Sequence, residues 1–172
     1  GEHQIECYRG SLDNVVGRFC GALNQYPMDA FVRVNGDSPL IDSELIEEGM
    51  EVFNKGDYDL VTNVFPRSYP KGQSVEVVNT GAFKDAAKRI VSKDDMEHVT
   101  RFFYNNAEEF RIFNMLSNQD RSGIQLSVDT EKDMALFDAL VSQMKTPHWS
   151  YRLAETLKLH DSLSGRESVV VR

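Results

Sequence analysis

The feature that most constrains this chain is a hydrophobic period that switches back and forth along it. Leu12, Val15, Val16, Phe19 and Leu23 recur at helical spacing behind Ser11, a candidate N-cap. Residues 30–34 then form a short apolar run of strand type, and Ser43 precedes a second helical stripe of Leu45, Ile46, Met50 and Phe53. After the turn at 55–57, residues 58–64 and 75–78 read as strands around a loop punctuated by Pro66, Pro70 and Gly72. Thr80 is placed to cap a helix through Phe83, Ala87 and Ile90. Ser92 with Asp95 forms a capping-box pattern for a helix reaching Tyr104. Residues 110–116 and 124–128 read as further strands. Thr130 and Asp133 begin a helix carrying Phe137, Leu140 and Val141, and residues 151–160 suit one more. Such alternation predicts an α/β fold: a mixed, mostly parallel sheet flanked by helices, in a single domain over residues 1–172.

Charge narrows the partners. With 27 acidic and 19 basic residues the net charge is -8, and the basic residues stand singly. A nucleic-acid binder needs a basic face, so that class is excluded, as is a basic track for an anionic membrane surface. No apolar run has the length of a membrane span. Cys7 and Cys20 make neither a disulfide framework nor a zinc pattern, and the expected compartment is the cytoplasm. Neither G-x-G-x-x-G nor G-x-x-x-x-G-K-[ST] occurs in the chain.

Two aspartates occupy matching places. Asp37 follows the strand at 30–34, Asp129 follows the one at 124–128, and a helix succeeds each. Ligands collect beyond the carboxyl ends of strands in open α/β sheets, and two carboxylates there suit Mg²⁺ with substrate phosphates. Turn and capping chemistry is the plainer explanation of the same residues, and both readings stand at this point. The loop at 66–72 carries Arg67, Tyr69 and Lys71, which either form an exposed turn or clamp an anion. Glu97 and His98 fall on a predicted helix, where Glu97 and Arg101 have the spacing of a surface ion pair. No G-x-S-x-G nucleophile elbow is present.

Five blocks in order, "YRGSLDNVVGRF", "RVNGDSPLIDSELIEE", "DYDLVTNVFPRSYPKGQSVEVV", "EHVTRFF" and "LSVDTEKDMALFDAL", resemble the cytidylyltransferases that activate sugar acids as CMP-sugars. The spore-coat polysaccharide biosynthesis branch is the nearest in pattern. This resemblance implies a nucleotidyltransferase fold of the nucleotide-diphospho-sugar transferase kind. The implied reaction joins CTP to a sugar or sugar-acid hydroxyl and releases pyrophosphate. It further implies Mg²⁺ on Asp37 and Asp129, with Arg9, Ser11 and Gly36 on the nucleotide side. Arg67, Tyr69, Glu76, Glu97 and His98 fall on the sugar side.

Two departures accompany the resemblance. The family opens with a strand and a basic A-R-x-G-S-x-R-L-P-x-K loop that this sequence lacks. The expectation is therefore the C-terminal two-thirds of the fold, truncated at the N-terminus and inactive by itself. Ser74 also stands where the family often has an acid. Homodimers through the central hairpin region are the implied assembly. The alternatives are a non-catalytic sugar-acid-binding or assembly module, and a nucleotidyltransferase using another nucleoside triphosphate.

Overall fold

Three strands run one way and a fourth is inserted against them. In the computed structural model, which describes residues 5–170 (166–170 by backbone alone), the sheet order is β1-β3-β2-β4. Its strands are β1 (Ala30–Arg33), β2 (Leu60–Thr62), β3 (Glu76–Asn79) and β4 (Ile112–Asn114). Both β1 and β2 pair antiparallel with β3, whereas β4 pairs parallel with β2. Hence β1, β2 and β4 share a direction. The mixed sheet flanked by helices is as expected, but "mostly parallel" holds for strand direction and not for the ladders. The connection between β2 and β3 contains no crossover helix, so β3 returns as an antiparallel neighbour.

Side-chain alternation divides the core between the two faces of the sheet. On one face Leu60 and Val78 pack under α1 (Val15–Gln25), α3 (Thr80–Ala87), α4 (Lys93–Glu97) and α5 (Arg101–Asn105). Phe83 is fully buried there, and its ring meets Phe31 edge-on at 5.3 Å. On the other face Val61, Val75 and Val77 pack with Leu45 of α2 (Ser43–Lys55). Gly49 lets that helix approach closely, since a Cβ at this position would lie 3.3 Å from Val75 and Val77. A third cluster, Leu40, Leu126 and Leu140, lies beneath α6 (Glu131–Val141) and α7 (Leu153–Val170).

Local differences from expectation have local causes. Asn14, Asp42 and Asn79 supply the N-cap oxygens rather than Ser11, Ser43 and Thr80. Each is a stronger or equal cap standing within a few residues. The Thr130–Asp133 capping box is present as expected. The helix begun at Ser92 stops at Glu97, and α5 starts afresh at Arg101. Residues 124–128 make an isolated bridge, Lys71 to Gln125, rather than a sheet strand. Their amides go to loops instead: Leu126 donates to the Lys71 carbonyl and Val128 to that of Asp37. Cys20 is half-buried, and burial raises its thiol pKa. Among the described residues, no helix is long and apolar enough to cross a membrane.

Candidate active site at the carboxyl edge of the sheet

Register places four polar residues in one row across the sheet. Arg33 faces Glu76, Glu76 faces Thr62, and Thr62 faces Asn114. This row lies at the carboxyl ends of β1, β2 and β4, the edge where open α/β sheets collect ligands.

Glu76 forms the floor. It is 2% exposed, and its carboxylate accepts from Arg33 Nη1 at 2.5 Å and Thr100 Oγ1 at 2.8 Å. The Tyr104 hydroxyl donates to the same carboxylate and sits 3.0 Å from Thr62 Oγ1. Burial, and then the neighbouring Glu76 charge, push the Tyr104 phenol far above its ordinary pKa, so it stays a neutral donor. Phe65 stacks on the Tyr104 ring with centroids 5.0 Å apart.

Arg67 turns toward this group. It is half-buried, donating from Nη2 to Ser74 Oγ at 3.0 Å and from Nη1 to the Pro70 carbonyl at 3.4 Å. Burial lowers its pKa, and the Glu76 carboxylate offsets part of that effect. Among the described residues Arg67 has no carboxylate at ion-pair distance, and its Nη2 meets the Ser74 hydroxyl instead.

Above the floor, three loops are tied together by backbone and amide bonds. Gln73, fully buried, accepts from the Asp42 amide at 3.0 Å and donates to the Leu40 carbonyl at 2.6 Å. Asn63 donates to the Gln73 carbonyl at 2.7 Å and accepts from the Val75 amide at 3.0 Å. Gly72 has φ of +89°, and a Cβ there would lie 2.5 Å from the Ser127 amide nitrogen. Only glycine meets both conditions. Finally Val128 N–H donates to the Asp37 carbonyl at 2.8 Å, setting the Asp37 and Asp129 loops side by side.

Both carboxylates are exposed and retain free oxygen positions. Among the described residues, Asp37 Oδ1 accepts only from Ser38 Oγ, at 2.9 Å. Asp129 Oδ2 accepts from Gln125 Nε2 at 2.8 Å and from Ser127 Oγ at 3.1 Å, which among the described residues leaves Oδ1. Among the described residues there is no cluster of three or more acidic, histidine or cysteine ligands. Two hard carboxylates completed by substrate phosphates is the donor set that Mg²⁺ commonly takes, so these residues fit that ion.

The other sequence-predicted residues are more dispersed. Arg9 and Ser11 are exposed ahead of α1, where Ser11 Oγ accepts the Asn14 amide at 3.2 Å. Gly36 is exposed, with open space where a Cβ would sit. Tyr69 parts from Arg67: its ring is buried with Leu45, Val61 and Val75 on the α2 face. Glu97 and His98 are exposed at the end of α4, and Arg101 pairs with Asp94 at 3.1 Å instead of Glu97. Because α4 ends at Glu97, the i,i+4 geometry with Arg101 does not form. Arg33, Thr100 and Tyr104 were not candidates from sequence. The available signal was a pair of charges, Arg33 and Glu76, each inside an apolar strand.

A cytidylyltransferase family model matches residues 1–166. The chain belongs to the cytidylyltransferase family. It is 35% identical over 135 residues to an uncharacterized protein of Methanocaldococcus jannaschii, a match covering 77% of this chain and 54% of that protein. The spore coat polysaccharide biosynthesis protein SpsF of Bacillus subtilis is 30% identical over 140 residues, covering 77% and 55%. This cytidylyltransferase chain thus spans about half the length of the curated relatives it matches. The solved structure of a cytidylyltransferase from Leptospira borgpetersenii superposes with a TM-score of 0.86 over 98% of this chain and 69% of its own. At 23% identity that likeness establishes the fold.

Proposed function

We propose that this chain carries the acceptor and metal side of a transferase. That enzyme moves a cytidylyl group from CTP to a sugar or sugar-acid hydroxyl for surface polysaccharide synthesis, releasing pyrophosphate. The reading is carried by the Val128–Asp37 backbone bond, which brings two carboxylate-bearing loops together at the ligand edge of the sheet. Asp37 and Asp129 are the residues to hold Mg²⁺, which when bound neutralises phosphate charge and polarises the phosphorus under attack.

The chain's own residues supply positioning, the larger part of phosphoryl-type transfer. Glu76 is committed to Arg33, Thr100 and Tyr104, so it stiffens the floor. Arg67 keeps donors free beyond its Ser74 and Pro70 contacts and is aimed to orient the acceptor. SpsF is named for polysaccharide biosynthesis, which favours a sugar as acceptor.

Pyrophosphate release by the full-length protein tests this reading, using CTP, UTP, GTP or ATP with neutral and acidic sugars. Turnover with CTP and a sugar is expected. Turnover only with another nucleotide, or none with any pair, contradicts it.

A further inference from the structure

A separate cleft opens on the α2 side of the sheet. Its volume is about 570 Å³, and its walls are α2, residues 116–121 and α7. None of Asp37, Asp129, Glu76 or Arg67 lines it. The size lies within the range of small-molecule sites.

The walls are fixed by hydrogen bonds from behind. Ser117 and Arg121 donate their amides to Ser68, to Oγ and to the carbonyl, each at 2.8 Å. The Asp42 carboxylate holds the start of α7, accepting from the Leu153 amide at 2.6 Å and from Arg152 Nη1 at 3.3 Å. The cleft is therefore formed before any ligand arrives, which lowers the ordering cost of binding.

Its lining is charge-balanced and amphipathic. Glu48 and Asp161 are set against Arg121 and Lys158, so the charges sum to zero. Arg121 and Asp161 face each other at 3.9 Å, whereas among the described residues Glu48 and Lys158 have no ion-pair partner. Tyr69 is 8% exposed, and its hydroxyl has no hydrogen-bond partner among the described residues. That hydroxyl is not sealed from solvent, and Tyr69 lines the cleft. Leu116, 61% exposed, adds an apolar surface at the wall.

We propose that this cleft binds a neutral mono- or disaccharide at a site distinct from the carboxylate edge. A balanced set of charges gives no net attraction to a charged ligand. A carboxylate, an ammonium and a phenol offer acceptors and donors to sugar hydroxyls. Leu116 and Leu157 suit the C–H face of the same ring. The proposal is independent of nucleotide chemistry and stands whether or not the chain transfers cytidylyl groups.

Saturation-transfer NMR tests it, with N-acetylglucosamine and its β1,4-linked disaccharide as neutral probes and glucuronate and glucosamine as charged controls. Transfer to a neutral probe is expected, weakened about fivefold by Lys158→Ala or by Tyr69→Phe, as for loss of one hydrogen bond. Asp37→Ala is expected to leave it unchanged. Absence of transfer to both neutral probes overturns the proposal. So does tighter binding of a charged control, or loss of binding in Asp37→Ala, which would place the sugar at the carboxylate edge.

Discussion

Arg33 on β1 and Glu76 on β3 face each other across the sheet and form an ion pair at 2.5 Å, with side-chain exposures of 24% and 3%. Forty-three positions apart in the chain, they close the floor of the candidate active site. Removing Glu76 leaves the Arg33 charge without its partner in a mostly desolvated place. Glu76→Ala is therefore expected to cost about 3–5 kcal/mol. Urea unfolding of the variant checks this, and a loss below about 1 kcal/mol, the worth of an exposed pair, would contradict it.

Tyr104 gives a pH signature. Its folded-state pKa is raised, first by burial and then by the Glu76 charge. The stabilisation is present in full below the unfolded-state value of about 10 and is lost as pH rises through the folded-state pKa. Stability is expected to fall on the alkaline side, and Tyr104→Phe to flatten that limb. Melting temperature against pH from 8 to 11 measures it, and identical alkaline limbs in the two proteins would contradict the assignment.

Gly72 is predicted to be irreplaceable. Alanine at φ +89° takes on left-handed strain of about 1–2 kcal/mol, and its methyl meets the 126–127 backbone. Since that backbone carries Asp129, Gly72→Ala is expected to weaken Mg²⁺ binding as well as folding. Thermal melts and a metal titration on the folded variant separate the two effects. Unchanged metal binding would detach Gly72 from the site.

How far the sequence was legible depends on the range of each interaction. The Thr130–Asp133 capping box involves neighbours and could be read directly. Caps at Asp42 and Asn79 stand beside Ser43 and Thr80, which have similar chemistry, so only the element and not its first residue could be read. Asp37 and Asp129 were found by their places after apolar runs. That their loops touch depends on Val128 reaching Asp37 across ninety-one positions, from 37 to 128, which spacing cannot encode. Residues 124–128 have strand composition, yet loop carbonyls take their amides and no sheet partner forms. The parting of Arg67 and Tyr69 likewise follows from which sheet face each side chain meets.

We propose that Asp37 and Asp129 together hold the metal for cytidylyl transfer. Its most direct measurement is pyrophosphate release from CTP against Mg²⁺ concentration, in the full-length protein and in Asp37→Asn and Asp129→Asn. Each variant is expected to lose about 100-fold or more in kcat, the scale of one lost electrostatic stabiliser, and to need more Mg²⁺. Turnover and Mg²⁺ dependence unchanged in either variant would contradict the account.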